Sequence, residues 1–245
     1  MKAVELYGHS KVHQVLNEAV RIAYVKGDLL LPLDFSSFDI LHYSGVEELQ
    51  NFLDSIKIDK HSTLLDLGSG LGGPSRFMAH RYGSQIHSFD LLKSNTDASS
   101  ILDRLQKLNT QIKYYIEDAT EVSFEDHPEL LHSHDAVVSQ LCILHIENKG
   151  KLFENVFKFL KPGGHLYIED FFLKEGMEFT PQESLVLEKD IGVPKGKLLL
   201  ESQYKELLKE SGFQLVSWRD MTKDWTQFVW KRLDDFLELE SEVTS

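Results

Sequence analysis

Apolar residues in the first sixty positions recur at helical intervals, and beyond residue 62 the pattern changes to short apolar runs alternating with amphipathic stretches. Val12, Val15, Leu16, Ala19, Val20, Ala23 and Tyr24 fall on one face of a helix predicted within residues 4–26, closed by Gly27-Asp28. An irregular, aromatic-rich stretch (29–45) follows. A second amphipathic helix is expected at 45–58, with Val46, Leu49, Phe52, Leu53 and Ile56 inward. Strands are then predicted at 63–67, 85–90, 111–116, 136–140, 165–171 and 213–218, and helices at 74–82, 96–108, 149–160, 201–211 and 224–239. The segment 120–134 is polar and acidic, and Lys161-Pro162-Gly163-Gly164 reads as a stop between helix and strand. Regular alternation of this kind implies an α/β, doubly wound, mainly parallel Rossmann-like sheet in one domain. Residues 1–60 form a helical amino-terminal segment, 61–221 the core and 222–245 a carboxy-terminal helix.

The chain is organised around residues 64–73, LLDLGSGLGG. An apolar strand there runs into a loop with glycine at Gly68, Gly70, Gly72 and Gly73, and a helix follows. Glycine lets backbone turn sharply and approach a ligand closely at a strand's carboxyl end. Asp66 stands two residues before the first glycine, where a pyrophosphate would be repelled. A carboxylate at that place suits an ammonium or sulfonium, and S-adenosylmethionine carries both. Asp90 lies 22 positions after Gly68, at the end of the second predicted strand, and fits an acid receiving both ribose hydroxyls. Leu91 follows it and can pack on the adenine face.

LDLGSGLGG followed by a strand ending in Asp90 resembles the first two motifs of class I S-adenosylmethionine-dependent methyltransferases, and the likeness runs from about Asp39 to Trp225. It implies that Asp66, Gly68, Ser69 and Gly70 cradle the donor's amino acid. Asp118-Ala119 (with Glu117 as a neighbour) would then meet the adenine amino group, and residues 1–60 would form a lid. Gln140 would donate to the methionyl carboxylate or support the acceptor pocket. Such sheets close with an antiparallel seventh strand between the fifth and sixth. Only residues 240–245 follow the last predicted helix, too short and acidic for it, so the expectation is an incomplete sheet, one completed by a partner, or a chain in shortened form.

In SQLCILHIENKGKLFENVFKFLKPGG, the ILHI segment is similar to that of the phosphoethanolamine N-methyltransferases, where the corresponding segment supplies an active-site histidine. That likeness makes His145 the candidate base, and a histidine near the transferred methyl is suited to take the acceptor's proton. Counting back from Gly45, Tyr24 falls on that family's latching tyrosine. The phosphate-gripping positions do not carry over: Phe171, Pro194 and Gly196 replace a tyrosine, an arginine and a tyrosine, and Leu141 replaces an acid four residues before the histidine. An unphosphorylated acceptor is therefore expected. Phe35, Phe38, Phe171, Phe172 and Trp225 suggest an aromatic-lined pocket, which His42 and Tyr43 could reach.

Composition narrows the partners. Hydrophobic residues make up 42% of the 245, no apolar run approaches the ~20 residues of a membrane span, and MKAVELYGHSK has no apolar signal core. A net charge of −13, from 39 acids against 26 bases, with no basic cluster, disfavours nucleic acid. The single Cys142 suits a reducing, cytoplasmic setting. His127, His132 and His134 lack metal-site spacing, so no metal is expected. The reading is a donor-dependent methyltransferase acting on a small-molecule acceptor at nitrogen. Carbon or oxygen methylation of a lipid, sterol or quinone, and a donor-binding pseudoenzyme or partner subunit, stay open. So does a homodimer through the lid or the carboxy-terminal helix.

Overall fold

The computed structural model describes residues 9–27, 30–40, 43 and 45–244. Helix α1 (His9–Lys26) leads through turns at Pro32–Phe35 and Ser36–Asp39 to α2 (Glu47–Ser55). The wound core follows as β1 (Thr63–Leu67), α3 (Gly73–Tyr82), β2 (Gln85–Phe89), α4 (Lys93–Leu105), β3 (Ile112–Tyr115), β4 (His134–Gln140), α5 (Lys149–Phe159) and β5 (Leu160–Glu169). Then come α6 (Pro181–Val186), α7 (Glu201–Glu210) and α8 (Thr222–Thr244). Every strand pair is parallel, in the order β3-β2-β1-β4-β5. The chain leaves β1 to one side for β2 and β3, then returns to the other side for β4. That reversal opens a crevice at the carboxyl ends of β1 and β4, where sheets of this kind take ligands.

Successive strand residues point to opposite faces, and each face has its own apolar core. Leu64, Ile86, Ala136 and Val138 pack with Leu49, Leu53, Phe77 and Met78 of α2 and α3. Leu65, Leu67, Phe89 and Val137 pack with Phe153, Val156 and Phe159 of α5 and with Tyr204 of α7. Removing one such side chain to alanine costs about 2–5 kcal/mol, so both faces hold the strand ends rigidly.

Several boundaries depart from the sequence pattern for local reasons. Helix α4 ends at Leu105 rather than 108, because Lys107 takes a left-handed φ of 59° and the Leu108 N–H reaches back to the Asp103 carbonyl. Chain from α5 enters β5 without a break: Leu160 pairs with His134, and a register shift follows before His165 pairs with Ala136. Residues 213–218 are not a strand. Their ends are anchored by Phe213 against Phe157 and Trp218 against Phe172, yet Val216 is 87% exposed and residues 214–220 make no backbone–backbone hydrogen bond among the described residues. A strand needs a neighbour for its ladder, and β5 pairs only with β4. Helix α1 packs Val15, Leu16, Ala19 and Ile22 around Phe35 and Leu102, so Val20 and Tyr24 face outward, against expectation. No helix among the described residues is long and apolar enough to cross a membrane.

Candidate active site

The glycine loop is shaped by what lies beneath it. Gly68, Gly70 and Gly72 hold φ of 77°, 53° and 77°, a region open to glycine at little cost. The N–H groups of Gly68 and Ser69 both donate to the Phe89 carbonyl at 2.9 Å, which ties the loop to the end of β2. A Cβ on Gly68 would stand 2.3 Å from Cys142 Sγ, and one on Gly73 would stand 2.4 Å from the Asp39 carbonyl oxygen. Space above Gly70 is open.

Asp66 is buried under this loop. Its Oδ2 accepts the Ser75 hydroxyl at 2.5 Å, and Ser75 Oγ meets Ser88 Oγ at 2.7 Å. Burial raises the Asp66 pKa to about 6, with the Ser75 hydroxyl pulling the other way and the Asp90 charge adding to the rise. Asp90 accepts Gly70 N–H at 2.8 Å on Oδ2, and Leu92 N–H at 2.8 Å and Asn95 Nδ2 at 3.3 Å on Oδ1. A carboxylate has about four lone-pair sites, so capacity remains for hydroxyl donors. Leu91, beside it, is 61% exposed. Asp118 uses one oxygen for the Thr120 N–H and hydroxyl, and the Ala119 carbonyl accepts from Asn155. Glu117 faces away to His127 at 2.7 Å.

The fit of an adenosyl donor rests on these groups and on the Ser69 hydroxyl. Ser69 Oγ and Gln140 Oε1 are buried, at 5% residue exposure each, without a hydrogen-bond partner. Buried polar atoms are normally satisfied, and both stand at the carboxyl-end crevice. Gln140 Nε2 donates one hydrogen to Glu169 Oε2, and its amide oxygen is left as an acceptor without a donor. The second Nε2 hydrogen is still free to meet a further acceptor.

His145 follows β4 in the turn Ile143–His145. Its Nδ1–H donates to the Gly192 carbonyl at 3.1 Å, which places the lone pair on Nε2. Burial lowers the ring pKa, the Gly192 carbonyl partly offsets this, and the Lys149 charge adds to the lowering. The imidazole is therefore neutral and able to accept a proton. Tyr24 is not its latch, because its phenol is 90% exposed on the outer side of α1. His42 lies outside the described residues. Tyr43 stacks on Trp225 at 4.5 Å and lies 6.2 Å from Phe171, with Phe228 edge-on at 6.0 Å. Phe35 and Phe38 instead pack under α1, and Phe172 packs on Trp218.

Two groups were not singled out from the sequence. Asp170 accepts Leu144 N–H at 3.0 Å and Phe171 N–H at 2.7 Å, which fixes the turn that carries His145. Burial lifts its pKa to about 7 against those donors and the Lys149 charge. Arg76 is fully buried between Asp39 and Asp103. An acid at the end of another parallel strand was the available signal for Asp170. Among the described residues no cluster of three or more potential ligands could hold a metal ion.

A family described as "Methyltransferase domain" matches residues 65–168 of the chain. The chain is 28% identical over 207 residues to phosphoethanolamine N-methyltransferase of Plasmodium falciparum, covering 81% of this chain and 73% of that protein. It is 30% identical over 191 residues to phosphoethanolamine N-methyltransferase 1 of Arabidopsis thaliana, covering 78% of this chain and 36% of the plant protein. Among solved structures it superposes on Haemonchus contortus phosphoethanolamine N-methyltransferase 2, bound to phosphomonomethylethanolamine and S-adenosylhomocysteine. That match has a TM-score of 0.69 at 24% identity and covers 94% of this chain and 49% of the nematode chain. The chain thus spans about a third of the plant relative and half of the nematode one.

Proposed function

We propose that the chain is a class I S-adenosylmethionine-dependent methyltransferase and that it methylates the nitrogen of a small-molecule acceptor. When bound, the donor supplies an electrophilic methyl on a sulfonium sulfur. Asp90 takes the ribose hydroxyls, the Gly68–Gly70 loop and the Ser69 hydroxyl receive the amino-acid end, and the second Asp118 oxygen with the Ala119 backbone meets the adenine. Leu91 closes over the base. Asp66 acts from below, through Ser75, by holding the loop to α3. Displacement at a methyl needs nucleophile and leaving group in line, so holding the acceptor still contributes much of the rate.

His145 takes the proton that the attacking amine must lose. The Gly192 carbonyl sets its tautomer and Asp170 sets the turn beneath it. Tyr43, Phe171 and Trp225 form the apolar wall of the acceptor side. The lone Cys142 and absence of a basic patch fit a metabolic enzyme of a reducing compartment such as the cytoplasm. The observation that carries this reading is Asp90 Oδ2 on the Gly70 N–H, an acid and a glycine loop from two strand ends closed on one another at the crevice. Calorimetric titration with S-adenosylhomocysteine, followed by transfer of labelled methyl to a panel of small amines, tests it. Binding with transfer to an amine is expected; no binding removes the reading.

A further inference from the structure

The acids of the donor cradle do not account for Glu169. It ends β5 in register with Gln140, which ends β4, so the two side chains stand next to each other at the crevice. Glu169 Oε2 holds the Gln140 amide nitrogen, and this leaves the buried Gln140 Oε1 without a donor. Two acceptor groups, one of them anionic, are therefore presented together. Glu169 makes no ion pair among the described residues. Phe171 follows two positions on, with the Tyr43 and Trp225 rings against it.

We propose, resting on the methyltransferase reading above, that Gln140 and Glu169 form the acceptor's ammonium subsite, with Phe171, Tyr43 and Trp225 as its ring wall, and that they select an unphosphorylated small amine. A protonated amine supplies the N–H donor that Gln140 Oε1 lacks and the positive charge that offsets Glu169. Ring faces attract cations within about 6 Å of the centroid and tolerate N-methyl groups, which lose hydrogen-bond donors as methylation proceeds. A carboxylate at this place repels a phosphate monoester, whose charge near neutral pH is about −1.5 to −2. Selection against a phosphorylated acceptor is thus built from the same group that holds the amine.

The test uses the full chain saturated with S-adenosylhomocysteine, titrated calorimetrically with dimethylethanolamine and, separately, with its phosphate ester. Wild type is expected to bind dimethylethanolamine and to discriminate against the ester. Glu169→Gln should weaken dimethylethanolamine at least about tenfold, the scale of one charge-assisted hydrogen bond, and narrow the discrimination. Glu169→Asp should retain part of both. Gln140→Leu should weaken the amine and leave the discrimination in place. Affinity for S-adenosylhomocysteine should be unchanged in both Glu169 variants. No binding of dimethylethanolamine at millimolar concentration, or preference of the wild type for the ester, or indifference to Glu169→Gln, overturns the proposal. Failure of wild type to bind S-adenosylhomocysteine at all would instead defeat the methyltransferase reading.

Discussion

Arg76 Nη2 donates to Asp39 Oδ2 at 2.6 Å, and neither side chain has any solvent exposure. The same nitrogen holds the Leu71 carbonyl at 2.6 Å, while Nη1 reaches Asp103 Oδ1 at 3.0 Å, whose other oxygen takes the Tyr114 hydroxyl at 2.7 Å. One guanidinium thus joins the turn before α2, the glycine loop and α4. Gly72 keeps room for it, since a Cβ there would stand 2.9 Å from Nη1. Removing one member of a buried ion pair costs about 3–5 kcal/mol, because the other charge is left uncompensated. Arg76→Met strands two carboxylates and should reach that range in urea unfolding. Asp39→Asn leaves the Asp103 pair in place and should cost less.

Gly68 is constrained twice, by its φ of 77° and by Cys142 Sγ beneath it. Gly68→Ala should lose donor affinity, and adding Cys142→Gly, which removes both the Sγ and the Cβ that would stand 2.3 and 2.4 Å from the new methyl, should restore only the steric part. The left-handed backbone alone costs an L-residue about 1–2 kcal/mol. Titration with S-adenosylhomocysteine on the two single variants and the double separates the contributions; full recovery in the double would show that the backbone term is negligible.

Asp90→Ala removes the carboxylate while leaving the Gly68 and Ser69 anchors to Phe89 intact. Loss of a charged partner to hydroxyl donors is worth about 1.5–3 kcal/mol, so affinity for S-adenosylhomocysteine should fall roughly ten- to a hundredfold. His145→Ala should leave that affinity unchanged and lower kcat by about 10²–10⁴. Equal losses of donor affinity in both variants would contradict the division of roles.

His87 Nδ1 lies 2.9 Å from His134 Nε2, and His134 Nδ1–H donates to the Phe159 carbonyl at 3.0 Å. Burial lowers both pKa values to about 4. The unfolded chain, with histidine near 6.5, therefore binds more protons between about pH 6.5 and 4, and this pair's contribution to stability is lost as pH falls through that window. Asp66 and Asp170 act in the opposite sense. Their raised values, about 6 and about 7, mean that the folded state holds more protons, so stability is lost as pH rises from about 4 to 7. Urea midpoints of wild type and His134→Gln, measured from pH 7.5 downward, isolate the histidine part: the wild type should lose stability more steeply on acidification. Parallel curves would show that the pair does not titrate in this way.

The strand ends were legible because apolar runs stopping at Asp66, Asp90 and Asp118 need only local sequence to be seen. Gly68 and Gly70 were equally plain, since glycines in a turn report backbone demand. Residues 213–218 read as a strand because alternation records which side chains could face a core, whereas hydrogen bonding depends on a neighbour. Tyr24 was placed inward because it lies within one turn of the buried stripe, and the docking of α1 on α4 turned it out. Arg76 carried no signal: a base in an amphipathic helix reads as solvated until its partners, 37 residues before it and 27 after, arrive from elsewhere. Gln140 was identified by position, but the orientation of its amide is set by Glu169, a pairing that exists only across two strands.

Cys142 gives the protein a chemical handle on its glycine loop. Its sulfur lies against Gly68, and burial, together with the surrounding carboxylates, pushes the thiol far above its ordinary pKa. An adduct that grows toward Gly68 must displace the loop, so a maleimide on the chain's sole sulfhydryl should register as a shift in the backbone it leans on.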